Sequence, residues 1–203
     1  MKASLTFSEI LQASLRSWDS KGSEECLLSL AFPIHNVDPL NILHVLASRE
    51  TFRFLWDQSP GLIIAAAGQC QNFELIGPSR FELAQRFTHE TLERLVSVPT
   101  GFPIHANPRI LFKFTFFEQT AHDKPAIKIK SIPCVHAVLP RWQVPRQAGC
   151  AWLRLNSVIA HETDVRDFVE QLWLMRQKLV GSISHFTKFV QPMKIELTIP
   201  NSQ

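Results

Sequence analysis

Residues 51–76 read TFRFLWDQSPGLIIAAAGQCQNFELI, and this stretch decides the fold class. Thr51 to Trp56, Leu62 to Ala67 and Asn72 to Ile76 are apolar runs of strand length. Pro60-Gly61 and the Gly68 to Gln71 segment separate them with turn-forming residues. Three strands at such close spacing form a meander. Gly77-Pro78-Ser79 ends it, and Phe81, Leu83, Ala84, Phe87, Leu92 and Leu95 then outline a helix reaching about Val96.

Working outward toward the carboxyl terminus, the Val98 to Arg109 block holds three prolines and one glycine and reads as a loop. Arg109 to Phe117 carries the clearest strand signal. Ile110, Phe112, Phe114 and Phe116 alternate against Leu111, Lys113 and Thr115, which predicts one buried face and one partly wet face. Glu118 to Lys128 is polar and turn-rich. Ile132 to Leu139 and Ala151 to Asn156 read as two strands around a loop with Pro140, Pro145 and Gly149. Asp164 to Leu179 is the best helix, with Val165, Phe168, Val169, Leu172, Met175 and Leu179 on one stripe. Lys194 to Ile199 is one further possible strand.

Toward the amino terminus, Phe7 to Trp18 is a short amphipathic helix with Ser8 available as its cap. Glu25 to Phe32 suits a buried strand, and Asp38-Pro39 starts another helix. Runs of strands broken by separate helices, without strict alternation, predict an α+β fold of mostly antiparallel sheet layers with packed helices. No repeat, low-complexity tract or linker interrupts the chain before about Val180.

Composition agrees with a folded body. Of 203 residues, 45% are hydrophobic and 19% charged, ample for a core and against disorder. Fifteen phenylalanines and five tryptophans, with no tyrosine, put burial on apolar rings. The net charge of +3 is spread along the chain, which argues against nucleic acid as a partner. Cys26, Cys70, Cys134 and Cys150 form no C-x-x-C pair, so reduced thiols in a cytoplasmic setting are expected. No run approaches the ~18 apolar residues of a membrane span.

The chemical signals are thin. The seven glycines form no phosphate loop. Cys134-Val135-His136 and His161-Glu162 with Asp164 are the nearest approaches to a metal set, and neither has zinc spacing; a strand cysteine and a capping acid cluster are the favoured readings. No G-x-S-x-G elbow supports a nucleophile. Glu24-Glu25 and Glu162 with Asp164 lie at element edges, where acids cap or are solvated. Arg141-Trp142 could hold an anion, but a packed Trp142 beside a solvated Arg141 is the favoured reading. No residue is therefore assigned a catalytic, cofactor-binding or metal-binding role.

Val138-Leu139-Pro140-Arg141-Trp142-Gln143-Val144, then Arg146, then Ala151-Trp152-Leu153-Arg154-Leu155-Asn156 resemble the middle of isochorismate synthases of the phylloquinone or menaquinone pathway, especially those of oxygenic phototrophs. Further matches follow in family order: Phe52-Arg53-Phe54-Leu55-Trp56 with Pro60, Ile64 to Gly68 with Phe73, Arg80-Phe81, and Pro108-Arg109 with Phe112 to Phe117. Leu55 and Lys113 depart from it, standing where the family commonly has an aromatic and a small residue. The collinear order, over roughly residues 27–180, carries the resemblance.

The resemblance implies the amino-terminal part of the anthranilate/isochorismate synthase fold, within a family that uses chorismate. A complete member adds water to the chorismate ring and expels the original hydroxyl, with Mg2+. It implies that the base, the acid and the metal-holding carboxylates lie in a carboxyl-terminal chorismate-binding half. The closest string here to the family's lysine strand, Met193-Lys194-Ile195-Glu196-Leu197, lacks the alanine-arginine ending, which leaves Lys194 as an exposed strand lysine. Residues 1–180 are then expected to be the amino-terminal domain, and 181–203 a tail or the start of a linker. The expected partner is the catalytic half, in cis or in trans, and an exposed apolar face is its expected trace. The alternative is a stand-alone, non-catalytic relative acting as a partner-binding or accessory protein.

Overall fold

The computed structural model describes residues 6–22, 24–35, 37–59, 61–98, 103–116 and 133–186. The strands are β1 (Cys26–Ile34), β2 (Arg53–Ser59), β3 (Leu62–Leu75), β4 (Leu95–Val98), β5 (Leu111–Phe114), β6 (Val135–Gln147) and β7 (Cys150–Ile159). The helices are α1 (Phe7–Asp19), α2 (Pro39–Leu46), α3 (Arg80–Glu93) and α4 (Glu162–Phe186), with a single 3-10 turn at Ile104–Ala106. Among the described residues these strands make one sheet in the order β2-β3-β6-β7-β1-β4, with β5 beside β6 off that path. All pairings are antiparallel except β1 with β4. The fold is α+β and mostly antiparallel, as the strand-rich pattern predicts.

Alternation along the strands sorts the two faces of the sheet. Leu28, Leu30 and Phe32 of β1, Trp142 and Val144 of β6, and Leu153 and Leu155 of β7 join Ile10 and Trp18 of α1, Ile42 of α2 and Val165, Phe168 and Leu172 of α4 in one core. Trp173 seals its rim, edge-on to both Phe7 and Phe32. The opposite face carries α3, where Phe73 stacks on Phe87 at 5.7 Å.

Five local expectations change. The cap of α1 is Thr6 in place of Ser8: its hydroxyl accepts from the Glu9 N–H while the Glu9 carboxylate takes the Thr6 N–H and O–H. The second and third runs of the meander are one strand, β3, because Gly68 to Gln71 forms a bulge and no turn: β6 pairs with Gln69 through Pro140 and with Gln71 through Leu139. Pro140 and Pro145 lie inside β6, whose ladder with β7 runs at Trp142↔Leu155 and Gln143↔Arg154 and resumes only at Arg146↔Ala151. Pro145, lacking an N–H, falls in the gap. The α3 helix stops at Glu93, and Leu95 and Val96 pair with Leu27 and Leu28 of β1 as a parallel edge. Finally, α4 starts at Glu162 and continues past Leu179 to Phe186, longer at both ends than the expected Asp164 to Leu179. The possible strand at Lys194 and the Glu118 to Lys128 segment lie outside the described residues.

Candidate functional site

Three of the residues that carry the sequence resemblance, Gln143, Arg154 and Asn156, lie on the sheet face opposite the main core. Gln143, Arg154 and Ser29 sit on three neighbouring strands and are buried, and Asn156 pairs with Ser29 across β1 and β7. Arg154 is 0% exposed. Its Nη1 donates to the hydroxyls of Ser29 and, at 3.4 Å, Ser97, and its Nε donates to the Ala106 carbonyl at 2.8 Å. The Ser29 hydroxyl donates onward to Asn156 Oδ1, and Asn156 Nδ2 donates to the Pro140 carbonyl at 2.7 Å.

Gln143 extends this network. Its Nε2 donates to the Asn107 carbonyl at 2.8 Å, and its Oε1 accepts the Arg109 N–H at 3.3 Å. Arg109 in turn ties the 3-10 turn down through the carbonyls of His105 and Asn107, at 2.7 and 3.1 Å. Burial, with the nearby Arg109 charge, pushes the Arg154 guanidinium down to about 10. It stays charged at neutral pH, and these acceptors are neutral oxygens. A buried charge is tolerated only when such hydrogen bonds replace its hydration. The network therefore joins β1, β4, β6, β7 and the 3-10 turn into one frame, and its polar groups are turned inward.

The residues weighed for chemistry are dispersed. Trp142 is buried in the core, while exposed Arg141 donates to Gln171 Oε1 at 3.0 Å, a surface tie between β6 and α4. Asp164 accepts the N–H groups of Ala160 and His161 at 3.1 and 2.8 Å, which makes it a helix-capping acid. Those bonds hold its carboxyl below the usual value. Glu25 pairs with Arg94 at 2.9 Å at the sheet edge. Cys134 is buried, whereas His136, on the same strand end, sits 3.5 Å from Glu74. Cys70 is held by burial up to about 11, an unreactive thiol.

Among the described residues no group of three or more His, Cys, Asp or Glu is gathered to hold a metal ion. Lys194 lies outside the described residues. No described helix is long and apolar enough to cross a membrane. Leu55 and Lys113 are both exposed, so neither departure from the family pattern disturbs packing.

The strand predicted to bury one aromatic face does not do so. Phe112 and Phe114 remain 41% and 39% exposed, and Phe81 at the start of α3 is 62% exposed. Phe81 and Phe114 pack at 5.0 Å and Phe112 and Phe114 at 5.8 Å, which makes a continuous exposed aromatic patch. Arg80 stacks over Phe81 at 4.9 Å and donates to the Thr115 carbonyl at 2.8 Å, tying α3 to the end of β5. The sequence signal missed here was the polar network: Gln143, Arg154 and Asn156 stand inside otherwise apolar strand runs, which marks buried polar residues needing partners.

Two comparisons with known proteins bear on this frame. The family described as "Chorismate binding enzyme" matches residues 10–200. Among solved structures, MenF, the menaquinone-specific isochorismate synthase from Escherichia coli, is similar at 21% identity and a TM-score of 0.44. The match covers 83% of this chain and 34% of MenF, so the chain spans about a third of that enzyme. No curated protein matches the sequence.

Proposed function

The chain belongs to the chorismate binding enzyme family, and from that premise we propose that it is the amino-terminal scaffold region of an isochorismate synthase. In this reading a carboxyl-terminal chorismate-binding half, in cis or in trans, supplies the acid, the base and the carboxylates for Mg2+, and the assembled cytoplasmic enzyme converts chorismate to isochorismate. The observation that carries the reading is the exposed Phe81, Phe112 and Phe114 patch. Aromatic rings left in water on a well-packed body suit a surface that a second domain covers. The inward-turned polar network supports the same role, because the family-like residues Gln143, Arg154 and Asn156 brace the sheet.

The test is complementation. The purified chain is mixed with the carboxyl-terminal half of an isochorismate synthase, and isochorismate formation from chorismate is followed with Mg2+ present. The chain alone is expected to be inactive and the mixture active. Turnover by the chain alone, or no binding and no rescue, would overturn the reading. Capture of an unrelated protein with no rescue would favour the accessory role instead.

A further inference from the structure

The sheet ends at β2, which among the described residues pairs with β3 alone. Gly68 donates its N–H to the Phe52 carbonyl at 3.0 Å, and the register runs on from Arg53↔Ala67 to Trp56↔Ile64. In an antiparallel ladder alternate residues turn both backbone groups to one neighbour. Phe52, Phe54 and Trp56 thus turn theirs toward β3. Arg53 and Leu55 turn theirs to the outer edge, as does Asp57 one step further on. Such an edge is a template for another strand.

The side chains specify which strand. Arg53, Leu55 and Asp57 share one face by alternation, and all three are exposed, Leu55 at 41%. Arg53 Nη2 and Nε donate to the Ser48 and Glu50 carbonyls, at 3.0 and 3.1 Å, so the guanidinium is already held beside the edge. A charge on an edge strand normally guards it, because a second copy brings the same charge. Here the two charges are of opposite sign, with an apolar side chain midway between them. Two copies of β2 laid antiparallel about a two-fold axis at Leu55 set each Arg53 against Asp57 of the other copy, and Leu55 against Leu55. An axis at Arg53 or Asp57 would bring like charges together, and one at Phe54 or Trp56 would set a charge against Leu55. The axis at Leu55 also brings outward backbone groups onto outward backbone groups, so the ladder closes.

We infer that β2 is a self-pairing edge that joins two copies of this chain into one continuous sheet. The contact is short, below the area of a permanent dimer, and a Kd of about 0.1 mM is expected. It uses none of Phe81, Phe112 or Phe114, so it is independent of the surface assigned to the catalytic half.

Sedimentation equilibrium of the full chain, from about 10 μM to about 1 mM, provides the test. Monomer at the low end and dimer at the high end are expected. Leu55→Lys and Asp57→Lys, both at exposed positions, are each expected to weaken dimerisation at least about tenfold, with folding checked by circular dichroism. Arg53→Asp is expected to do the same. An equimolar mixture of Asp57→Lys and Arg53→Asp chains is expected to dimerise again, because opposite charges then meet at both ends of the paired strands. Phe81→Glu is expected to leave the Kd unchanged. A chain that stays monomeric at about 1 mM would overturn the inference. So would an unchanged Kd in folded Leu55→Lys and Asp57→Lys, no recovery in a mixture of folded charge variants, or dimerisation lost in Phe81→Glu. Should Arg53→Asp fail to fold, Leu55→Lys and Asp57→Lys decide the matter.

Discussion

Arg154 bears a full charge at a position with no water access, and the protein holds it there with the hydroxyls of Ser29 and Ser97 and the Ala106 carbonyl. Removing the side chain leaves those acceptors buried and opens a void the size of a guanidinium. Arg154→Ala is therefore expected to lower the unfolding free energy by about 3–5 kcal/mol, read from urea denaturation. Arg154→Met, which refills the volume and removes the charge, is expected to cost less than the alanine change. Asp164 illustrates a second electrostatic device. Its folded-state carboxyl is held below the usual 3.8 by the backbone N–H groups of His161 and Ala160, so its contribution is complete above that value and is lost as pH falls through the folded value. Urea midpoints measured from pH 6 down to 2 are expected to fall through this range in the native protein. Asp164→Asn, which keeps an acceptor without a titrating charge, is expected to remove that component, and identical profiles would refute the assignment.

At the scale of elements, β3 shows how a short bulge lets a long strand shift its register against β6 without ending. Gly68 adopts φ +66°, and its N–H donates to the Phe52 carbonyl at 3.0 Å. An added Cβ would stand 2.9 Å from the Arg141 Cβ and 3.1 Å from the Glu50 carboxylate. Gly68→Ala combines left-handed strain with that crowding and is expected to cost about 1–3 kcal/mol by thermal or urea unfolding. A change below about 0.5 kcal/mol would mean that the bulge relaxes freely. Loss at this point would also loosen β2, which leans on β3 alone in the sheet order, and with it Phe52 and Arg53.

At the scale of the molecule, among the described residues, one side of the sheet is closed by α1, α2 and α4, while the other carries α3 and the 3-10 turn around the polar network. The edge formed by α3 and β5 is where aromatic surface stays in water. If that edge receives the catalytic half, Phe81→Glu is expected to lower the complemented rate about tenfold at sub-saturating partner. The same variant is expected to shift the chain's own stability by less than about 0.5 kcal/mol, because Phe81 is 62% exposed. An unchanged complemented rate would move the interface elsewhere on the surface.

By itself the sequence determined the fold class, the four helices and the strand cores, because those follow from side-chain periods of 3.6 and 2 that act within one segment. Asp38-Pro39 specified the start of α2 in the same local way. Only the tertiary structure decided that Gly68 to Gln71 bulges and does not turn, that Pro140 and Pro145 continue β6, and that Leu95 and Val96 leave helix for strand. Each depends on a backbone partner supplied from elsewhere in the chain, and a one-dimensional pattern does not name that partner. The same reason hid the Ser29, Asn156 and Arg154 network, whose first link spans 127 positions. It also hid the exposure of Phe112 and Phe114, since alternation says which residues share a face and packing alone says whether anything covers it.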